Sequence, residues 1–287
     1  MTDAVATQVV DRSPVGPLYA RADAGRPSQK LAVLDWGLTE ILLALGVTPA
    51  GVSAPDWYRK LIPTPALPAS ALDLGLLFQP NLETLYALRP DAIVITPQHA
   101  LLKPALERIA PTIALPAHGL AELISAARQL GERLQRQPQA AQILASLNGK
   151  LSCASLLARQ VERPALLAAP VDALHLRVYT AGSLPGDVLA ACGLRNGWHG
   201  GAGAEGSVLV ELTRIADLNA RLMLLTPDDQ RESVSQWRQS SLWQRLPLTA
   251  AHNLNLIEEN ISDAGALITA GRFADIFTGM MMRWRDA

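Results

Sequence analysis

Aromatic and hydrogen-bonding side chains follow several of the strands that the sequence predicts. Trp36 and His99 come just after short apolar runs, and Trp57, Tyr58 and Trp198 lie in loops between predicted elements. Because ligands bind beyond the carboxyl ends of the strands in open α/β sheets, exposed rings at these positions would line a binding site. For each ring taken separately, packing in the core is the alternative explanation. The pattern favours a ligand site without identifying a reaction.

The glycine-rich motifs lack the context that nucleotide binding or nucleophilic catalysis requires. Gly201, Gly203 and Gly206 match G-x-G-x-x-G, but no strand leads directly into them and no acidic residue follows at the required distance. In Gly182–Gly186 the serine directly follows the first glycine, which is out of register for the G-x-S-x-G nucleophile elbow. Ser183 is predicted to cap a helix instead. Since no G-x-x-x-x-G-K-S/T loop occurs either, the sequence predicts neither catalytic residues nor a cofactor.

The spacing of cysteines and histidines does not predict a metal centre. Cys153 and Cys192 lie in different predicted elements without C-x-x-C spacing, so we expect two buried free thiols. The histidines are far apart in sequence, although loops from two lobes could bring several of them together: His99, His118, His175, His199 and His252. We expect no residue to ligate a metal ion directly.

The charge balance gives no support to a nucleic-acid or membrane-surface partner. The 287 residues include 25 basic and 26 acidic side chains, for a net charge of -1. No run reaches the roughly 20 apolar residues of a membrane span, since Asp35 and Glu40 interrupt even Leu31–Leu45. Met1–Gly25 lacks the unbroken apolar segment of an intact secretory signal and is interpreted as a flexible tail. We expect a monomer.

Short apolar runs alternate with helical patterns, which predicts an α/β architecture. A strand at Leu31–Leu34 precedes a helix at Thr39–Leu45, and Pro55–Pro68 is interpreted as a structured loop. Further strands are predicted at Ala50–Ser53, Ala92–Thr96, Ile113–Leu115, Ala165–Ala169, Arg177–Thr180 and Leu222–Thr226, and further helices at Pro80–Leu88, Leu101–Ile109, Gly119–Leu134, Leu184–Ala191, Leu209–Ile215, Ser233–Arg245 and Ala264–Thr278.

The middle of the chain departs from this alternation. After Pro138, the segment Ala140–Gln160 has a continuous helical pattern of about 21 residues, which would span roughly 30 Å and could brace two lobes. A helix beginning at Glu83 and another beginning at Glu211, each before a strand that ends in Thr-Pro, suggest that the lobes are related. We therefore divide the chain into a flexible tail (1–30), an N-terminal α/β lobe (31–138), an inter-lobe helix (139–161) and a C-terminal α/β lobe (162–287).

A series of short motifs resembles the periplasmic ferric hydroxamate-binding proteins of siderophore import. The resemblance begins at Leu31 and is dense through the first half and thin after Arg163. The matching segments, in the family's order and spacing, are Leu31–Gly46, Asp73–Gly75, Gln79–Glu83, Leu88–Asp91, Glu107–Pro111, Gly182-Ser183, Gly206-Ser207 and Leu242-Trp243.

The resemblance implies a fold and a set of partners. The implied fold has two α/β lobes with parallel or mixed sheets, one long connecting helix, a shallow cleft and modest closure on binding. The implied function is capture of a ferric siderophore in the periplasm and its delivery to an ABC permease that a separate ATPase drives. In this family one acidic residue on each lobe engages permease arginines, and Glu83 and Glu211 are the matching positions. A plain helix-terminus glutamate is the alternative at both positions.

The implied ligand pocket departs from the family pattern at several positions. Leu77 stands where the hydroxamate-binding member has an arginine, His99 where it has a tyrosine and Glu205 where it has a tryptophan. Polar and cationic side chains on the wall suit a hydroxamate, carboxylate or mixed siderophore, whose own atoms hold the iron. The predicted ligand-binding set is Trp36, Trp57, Tyr58, Arg59, Gln98, His99, Trp198, Glu205, Ser207 and His252.

Two other classes of function compete with a siderophore-binding protein. One is a small α/β enzyme with its active site between the lobes, which would need a paired nucleophile and base. The other is a cobalamin-, haem- or metal-binding protein of the same two-lobed fold. Ligand-dependent quenching of tryptophan fluorescence, product formation and binding of bare metal ions distinguish the three.

Overall fold

A computed structural model describes residues 29–203, 205–250 and 252–285. The predicted tail, residues 1–30, lies almost wholly outside these ranges. Within the described ranges, no helix combines the length and the apolar character that a membrane crossing requires.

The first half of the chain forms a five-stranded parallel sheet of order β3-β2-β1-β6-β7 and a separate β4-β5 hairpin. Leu31, Ala32 and Val33 of the central strand have no exposed surface, as is typical of a parallel sheet covered on both faces. The strands are β1 (Leu31–Val33), β2 (Gly51–Val52), β3 (Leu72–Asp73), β4 (Gly75–Leu76), β5 (Gln79–Pro80), β6 (Ala92–Ile95) and β7 (Thr112–Ala114). The helices are α1 (Trp36–Ala44), α2 (Pro55–Leu61), α3 (Leu82–Leu88), α4 (Lys103–Leu106), α5 (Gly119–Arg133) and α6 (Gln137–Ala158).

The second half forms a mixed sheet of order β10-β9-β8-β11-β12, in which β9 pairs antiparallel with both of its neighbours. The strands are β8 (Ala165–Pro170), β9 (His175–Tyr179), β10 (Ser207–Glu211), β11 (Arg221–Leu225) and β12 (Leu254–Ile257). The helices are α7 (Leu184–Ala191), α8 (Arg231–Trp237), α9 (Ser241–Arg245) and α10 (Leu267–Arg285). The predicted α/β class, with one parallel and one mixed sheet flanked by helices, is confirmed. We refer to β1–β7 with α1–α5 as the N-terminal lobe and to β8–β12 with α7–α10 as the C-terminal lobe.

In the sequence, the long helix α6 follows the first sheet and precedes the second. Its 22 residues would extend about 33 Å at 1.5 Å per residue. It begins at Gln137, earlier than the predicted Ala140, because Pro138 occupies the first turn, where its missing N–H removes no helical hydrogen bond. Cys153 lies exposed on this helix, so the prediction that both thiols are buried is wrong for it and correct for Cys192.

One hydrophobic core runs through both lobes. It includes Leu31 and Val33 of β1, Leu167 of β8 and Met223 of β11. Side chains of α5, α6, α7 and α10 fill the space between these strands. Because interiors are close-packed, helices shared in this way restrict how far the two sheets can move relative to each other.

Two carboxylates, one buried and one half-buried, also connect the lobes. Glu40 of α1 has no exposed surface and accepts hydrogen bonds from the backbone N–H groups of Ala266 (2.8 Å), Ile268 (2.7 Å) and Thr269 (3.1 Å), where α10 begins. Asp187 of α7, in the C-terminal lobe, accepts a hydrogen bond from the backbone N–H of Leu120 (2.9 Å) in the first turn of α5, which belongs to the N-terminal lobe. Each carboxylate satisfies backbone donors that a helix leaves without intrahelical partners.

Three segments differ from the sequence-based prediction. Leu209–Ile215 is not a helix, because Leu209–Glu211 pairs with β9 as the end of β10, and a short 3₁₀ turn follows at Leu212–Ile215. Glu211 therefore ends a strand rather than beginning a helix. Pro55–Pro68 begins with the helix α2 instead of a loop. The predicted helix Ser233–Arg245 is divided into α8 and α9, and Ser240 caps the second of them.

Candidate ligand-binding cleft

A cavity of about 660 Å³ lies between the lobes. This volume falls within the range of about 300–1,000 Å³ that is typical of small-molecule sites. The N-terminal lobe contributes Asp35, Trp36, Gly37, Leu77, Phe78, Thr96, Pro97, Gln98, Pro116, Ala117, His118, Gly119, Glu122 and Leu123. The C-terminal lobe contributes Arg177, Ser183, Leu184, Glu205, Ser207, Leu209, Asp263, Ala264 and Gly265.

The topology explains why the cavity forms here. Its N-terminal wall consists largely of segments that follow β1, β6 and β7, which are neighbours in the parallel sheet and end at the same edge. Segments beyond the carboxyl ends of parallel strands are the usual ligand sites of open α/β sheets. The C-terminal wall comes from β9, β10, the start of α7 and the residues before α10. A ligand in the cavity therefore contacts both lobes.

The N-terminal wall is held by hydrogen bonds from its own loops. Asp35 caps α1 by accepting from the N–H of Leu38 at 2.8 Å. Burial raises the pKa of Asp35, while hydrogen bonds from the backbone N–H groups of Leu38 and Gly37 act in the opposite direction. The indole Nε1 of Trp36 donates to the carbonyl of Ser53 at 2.9 Å, which fixes the half-buried ring at the cleft.

The C-terminal wall includes Arg177 and Asp263, whose opposite charges both act on a buried tyrosine, Tyr179. Burial raises the pKa of Tyr179 well above its usual range, the charge and hydrogen bond of Asp263 raise it further, and Arg177 opposes them. Both charged side chains line the cavity. Ser183 caps α7, because its Oγ accepts from the N–H of Gly186 at 3.2 Å as predicted.

Exposed apolar side chains face the cavity from both lobes. Phe78, in the β4–β5 turn, is 55% exposed, and Leu209 of β10 is 63% exposed. Large apolar groups left open to solvent on facing walls favour contact with the carbon framework of a ligand.

Four of the predicted ligand-binding residues line the cavity, namely Trp36, Gln98, Glu205 and Ser207. The first two belong to the N-terminal wall and the other two to the C-terminal wall. The structure thus brings together residues that are more than 100 positions apart in sequence.

Three predicted residues lie on α2 and do not line the cavity. Tyr58 is fully buried, and its hydroxyl donates to the carbonyl of Pro65 at 3.2 Å. Arg59 is turned toward the same loop, where it donates to the carbonyl of Pro68 at 2.9 Å and pairs with Asp56. Trp57 is exposed outside the cleft, with the ammonium of Lys60 5.2 Å from its ring centroid. All three side chains therefore lie outside the cavity lining, and their role in binding stays a prediction.

The ring of His99, another predicted ligand-binding residue, is engaged within the N-terminal lobe. The backbone N–H of Thr96 donates to Nδ1 at 3.2 Å, so Nε2 carries the proton and donates to the carbonyl of Leu77 at 2.9 Å. The side chain is buried, and its ring lies 5.3 Å from that of Phe78. His99 therefore supports the turn that presents Phe78 and does not itself line the cavity.

Two predicted residues of the C-terminal lobe lie outside the cavity lining as well. The indole of Trp198 donates to the carbonyl of Gly201 at 3.0 Å and packs on the core of its own lobe. His252 is exposed in the turn before β12. Their role in binding stays a prediction.

Sequence reasoning missed several residues of the wall. Phe78 gave a signal, since it is a lone aromatic residue in a short turn between two glycine- and proline-flanked strands. Arg177 gave another, since it is the exposed residue between the buried Leu176 and Val178 of β9. Asp263 and His118 lie in connecting segments and gave no periodic signal. In the described part of the chain, no group of three or more histidine, cysteine, aspartate or glutamate side chains is arranged to hold a metal ion.

A family model described as periplasmic binding protein matches residues 31–260, which is most of the chain. The chain belongs to this family of periplasmic binding proteins. The match begins at the first residue of β1 and ends shortly before α10. It includes both sheets and nearly all of the cavity lining.

Several curated proteins similar to this chain have names that refer to iron or to a siderophore. The iron(3+)-hydroxamate-binding protein FhuD of Escherichia coli (strain K12) is 29% identical over 227 residues, or 77% of each chain. The achromobactin-binding periplasmic protein of Dickeya dadantii (strain 3937) is 33% identical over 238 residues, or 76% of this chain and 74% of the relative.

A solved structure shares the fold of this family member. It is the Fe³⁺–Desferal bound siderophore binding protein FhuD from Vibrio cholerae, with a TM-score of 0.82 and 23% identity. The superposition covers 89% of this chain and 98% of the other. At this identity the likeness concerns the fold.

The two glutamates predicted to dock a permease are exposed on different lobes of this periplasmic binding protein family member. Glu83 lies in the first turn of α3, and Glu211 is the last residue of β10. Their role in docking stays a prediction.

Proposed function

We propose that this chain captures a ferric siderophore in the cleft and delivers it to an inner-membrane ABC permease driven by a separate ATPase. The observation that carries the proposal is the cavity of about 660 Å³ with one wall from each lobe. The names of similar proteins, which refer to ferric hydroxamate, achromobactin and iron-loaded Desferal, support the same class of ligand.

The chemistry of the walls suits a chelate with an organic framework and a polar metal centre. Trp36, Phe78 and Leu209 offer carbon surface, whereas Gln98 and Ser207 offer hydrogen-bonding groups. In this proposal the siderophore's own atoms hold the iron, and the protein provides neither a metal ligand nor a cofactor.

The proposal includes binding without turnover. The hydroxyl of Ser183 donates to the carbonyl of Thr180 at 2.8 Å and caps α7, so it is engaged as a structural group. Burial, with a contribution from the charge of Asp275, raises the pKa of the Cys192 thiol to about 12, which keeps it protonated and a poor nucleophile at neutral pH. The structural engagement of the Ser183 hydroxyl and the raised pKa of the Cys192 thiol therefore support a binding role.

The remaining parts of the proposal concern organisation and location. The boundaries 31–138, 139–161 and 162–287 for the lobes and the connecting helix agree with the placement of the two sheets and α6. The core shared between the lobes favours modest closure on binding. A monomer in the periplasm, with Glu83 and Glu211 facing the permease, completes the arrangement.

Tryptophan fluorescence during titration with ferric siderophores tests the proposal. We expect quenching that saturates, and we expect most of the quenching to disappear in Trp36→Phe, because Trp36 is at the wall. Trp57→Phe is the matched control, since Trp57 is exposed outside the cleft, and it should retain the quenching of the unchanged protein.

Native mass spectrometry against ferric hydroxamate, citrate-type and catecholate chelates, with cobalamin and haem included, identifies the class of ligand. Binding of cobalamin or haem and of no ferric chelate would contradict the proposal. Chemical conversion of a bound chelate by the protein alone would favour an enzyme instead.

A further inference from the structure

The ionisable side chains around the cleft are predominantly acidic. Arg177 is the only lysine or arginine side chain among the described residues that line the cavity. The lining contains one histidine, His118. Against these stand four carboxyl groups, which belong to Asp35, Glu122, Glu205 and Asp263.

The carboxyl groups are divided between the two walls. Asp35 and Glu122 belong to the N-terminal lobe, and Glu205 and Asp263 belong to the C-terminal lobe. Glu122 accepts a hydrogen bond from the N–H of His118 at 2.8 Å, which places its carboxylate at the start of α5. A ligand between the walls therefore meets negative charge from both sides.

The single cation does not offset this excess. Even complete compensation of one carboxyl group by Arg177 leaves three of the four carboxyl groups in the lining without a lysine or arginine partner there. Glu205 and Glu122 are exposed at the cavity and have no cationic lining residue left to balance them.

Charge complementarity between a cleft and its ligand controls both selection and encounter rate, and like charges placed together in a partly enclosed site are costly. We infer that this cleft selects ferric chelates by their charge: it binds neutral and cationic complexes and discriminates against anionic ones. This inference rests on the proposed function and narrows its ligand class. Three hydroxamate groups neutralise Fe³⁺, whereas citrate-type and tris-catecholate complexes keep net negative charge, so the inference favours the hydroxamate type.

A charge series built on one iron-binding core provides the test. Ferric desferrioxamine B carries a free ammonium group, its N-acetyl derivative is neutral and its N-succinyl derivative is anionic, while the iron centre is the same in all three. We expect affinity to fall from the cation to the anion by at least about tenfold at low salt. The difference should shrink at about 0.5 M NaCl, because salt screens exposed charges.

Variants of the wall locate the effect. Glu205→Gln and Glu122→Gln should each reduce the difference in affinity between the cationic and the anionic derivative, mainly by strengthening binding of the anion. Arg177→Gln should increase this difference in affinity. The matched control is Glu132→Gln, because Glu132 is exposed on the same helix as Glu122 and does not line the cavity.

The outcomes separate this inference from the proposed function. Equal or tighter binding of the anionic derivative at low salt overturns charge selection and leaves siderophore capture standing. Charge selection is also overturned if Glu205→Gln and its control Glu132→Gln change the preference for the cationic derivative by equal amounts. Absence of binding for all three derivatives and for citrate-type and catecholate chelates overturns the proposed function itself.

Discussion

Glu40 and Asp187 hold reciprocal positions: the carboxylate of each accepts hydrogen bonds at the first turn of a helix that the other lobe provides. Glu40 lies on α1 and caps α10, whereas Asp187 lies on α7 and caps α5. Residues beside both capped turns line the cleft, including Gly119 and Gly265. The contacts that join the lobes therefore also place part of the cavity wall.

Replacing Glu40 should destabilise the fold. Glu40→Ala removes the acceptor for three backbone N–H groups and the hydroxyl of Thr269, all in a buried site. We expect the free energy of unfolding to fall by about 2–4 kcal/mol. Urea denaturation followed by circular dichroism measures it. Glu83→Ala, on the surface, should change stability by less than about 0.5 kcal/mol, and an equal loss in both variants would contradict the assignment.

The stability contributed by Glu40 should depend on pH. Burial raises its pKa above the ordinary 4.5, although hydrogen bonds from Thr269 and the backbone act in the opposite direction. A group whose pKa is raised by folding contributes fully below its unfolded-state pKa, and the contribution is lost as pH rises through the folded-state pKa. We expect the stability difference between the unchanged protein and Glu40→Gln to decline from about pH 4 toward neutrality. A stability difference that grows as pH rises would show that folding lowers the pKa of Glu40 instead of raising it.

Asp187 should matter for ligand binding as well as for stability. Its carboxylate accepts from Leu120 at 2.9 Å and from Gly182 at 2.8 Å, and Gly119 and Ser183 beside them line the cavity. We expect Asp187→Asn to lower the free energy of unfolding by about 1–3 kcal/mol and to weaken ferric chelate binding in titration calorimetry. Asp217→Asn, at an exposed position outside the cleft, should leave both quantities unchanged.

Two glycines should respond to alanine in opposite ways. At Gly206 φ is +66°, and an added Cβ would lie 2.0 Å from the backbone N of Ser183, so Gly206→Ala should destabilise the protein and displace Ser207 at the wall. At Gly149 an added Cβ has nothing within 4 Å, and Gly149→Ala in α6 should raise stability by about 1 kcal/mol. Thermal unfolding of both variants checks the contrast. Similar shifts of the same sign would show that the backbone near Gly206 adapts.

The two thiols should differ in reactivity. Cys153 is exposed on α6, whereas Cys192 is buried and burial raises its pKa to about 12. A maleimide reagent should label the native protein at Cys153 alone and label both cysteines after denaturation, as intact mass and peptide mapping would show. Labelling of Cys192 in the native protein would mean that α7 opens readily.

Local patterns were sufficient to predict the architecture. The fully apolar run at Leu31–Val33 and the continuous helical pattern of α6 identified the central strand and the connecting helix, since each depends mainly on neighbouring residues. Leu209–Ile215 was mispredicted because its strand is stabilised by pairing with His175–Tyr179, a distant segment. Long-range pairing of this kind leaves little trace in a single sequence.

The residues that line the cavity were harder to predict than the fold. Arg59 looked available from its type and position, yet its partners are the carbonyls of Leu67 and Pro68, which a loop brings back to it. Arg177 is exposed on its strand, and only the placement of the other lobe turns that exposed face into a wall. Such relationships depend on how loops and lobes close in space.

The continuous core between the sheets has a consequence for how new specificity can arise. Because the shared core limits how far the lobes can move, the width of the gap is largely determined when the chain folds, and a chelate that is too large is excluded by the opening itself. Substitutions of the side chains that line the opening could therefore give binding of other ligands without any change to the core beneath them.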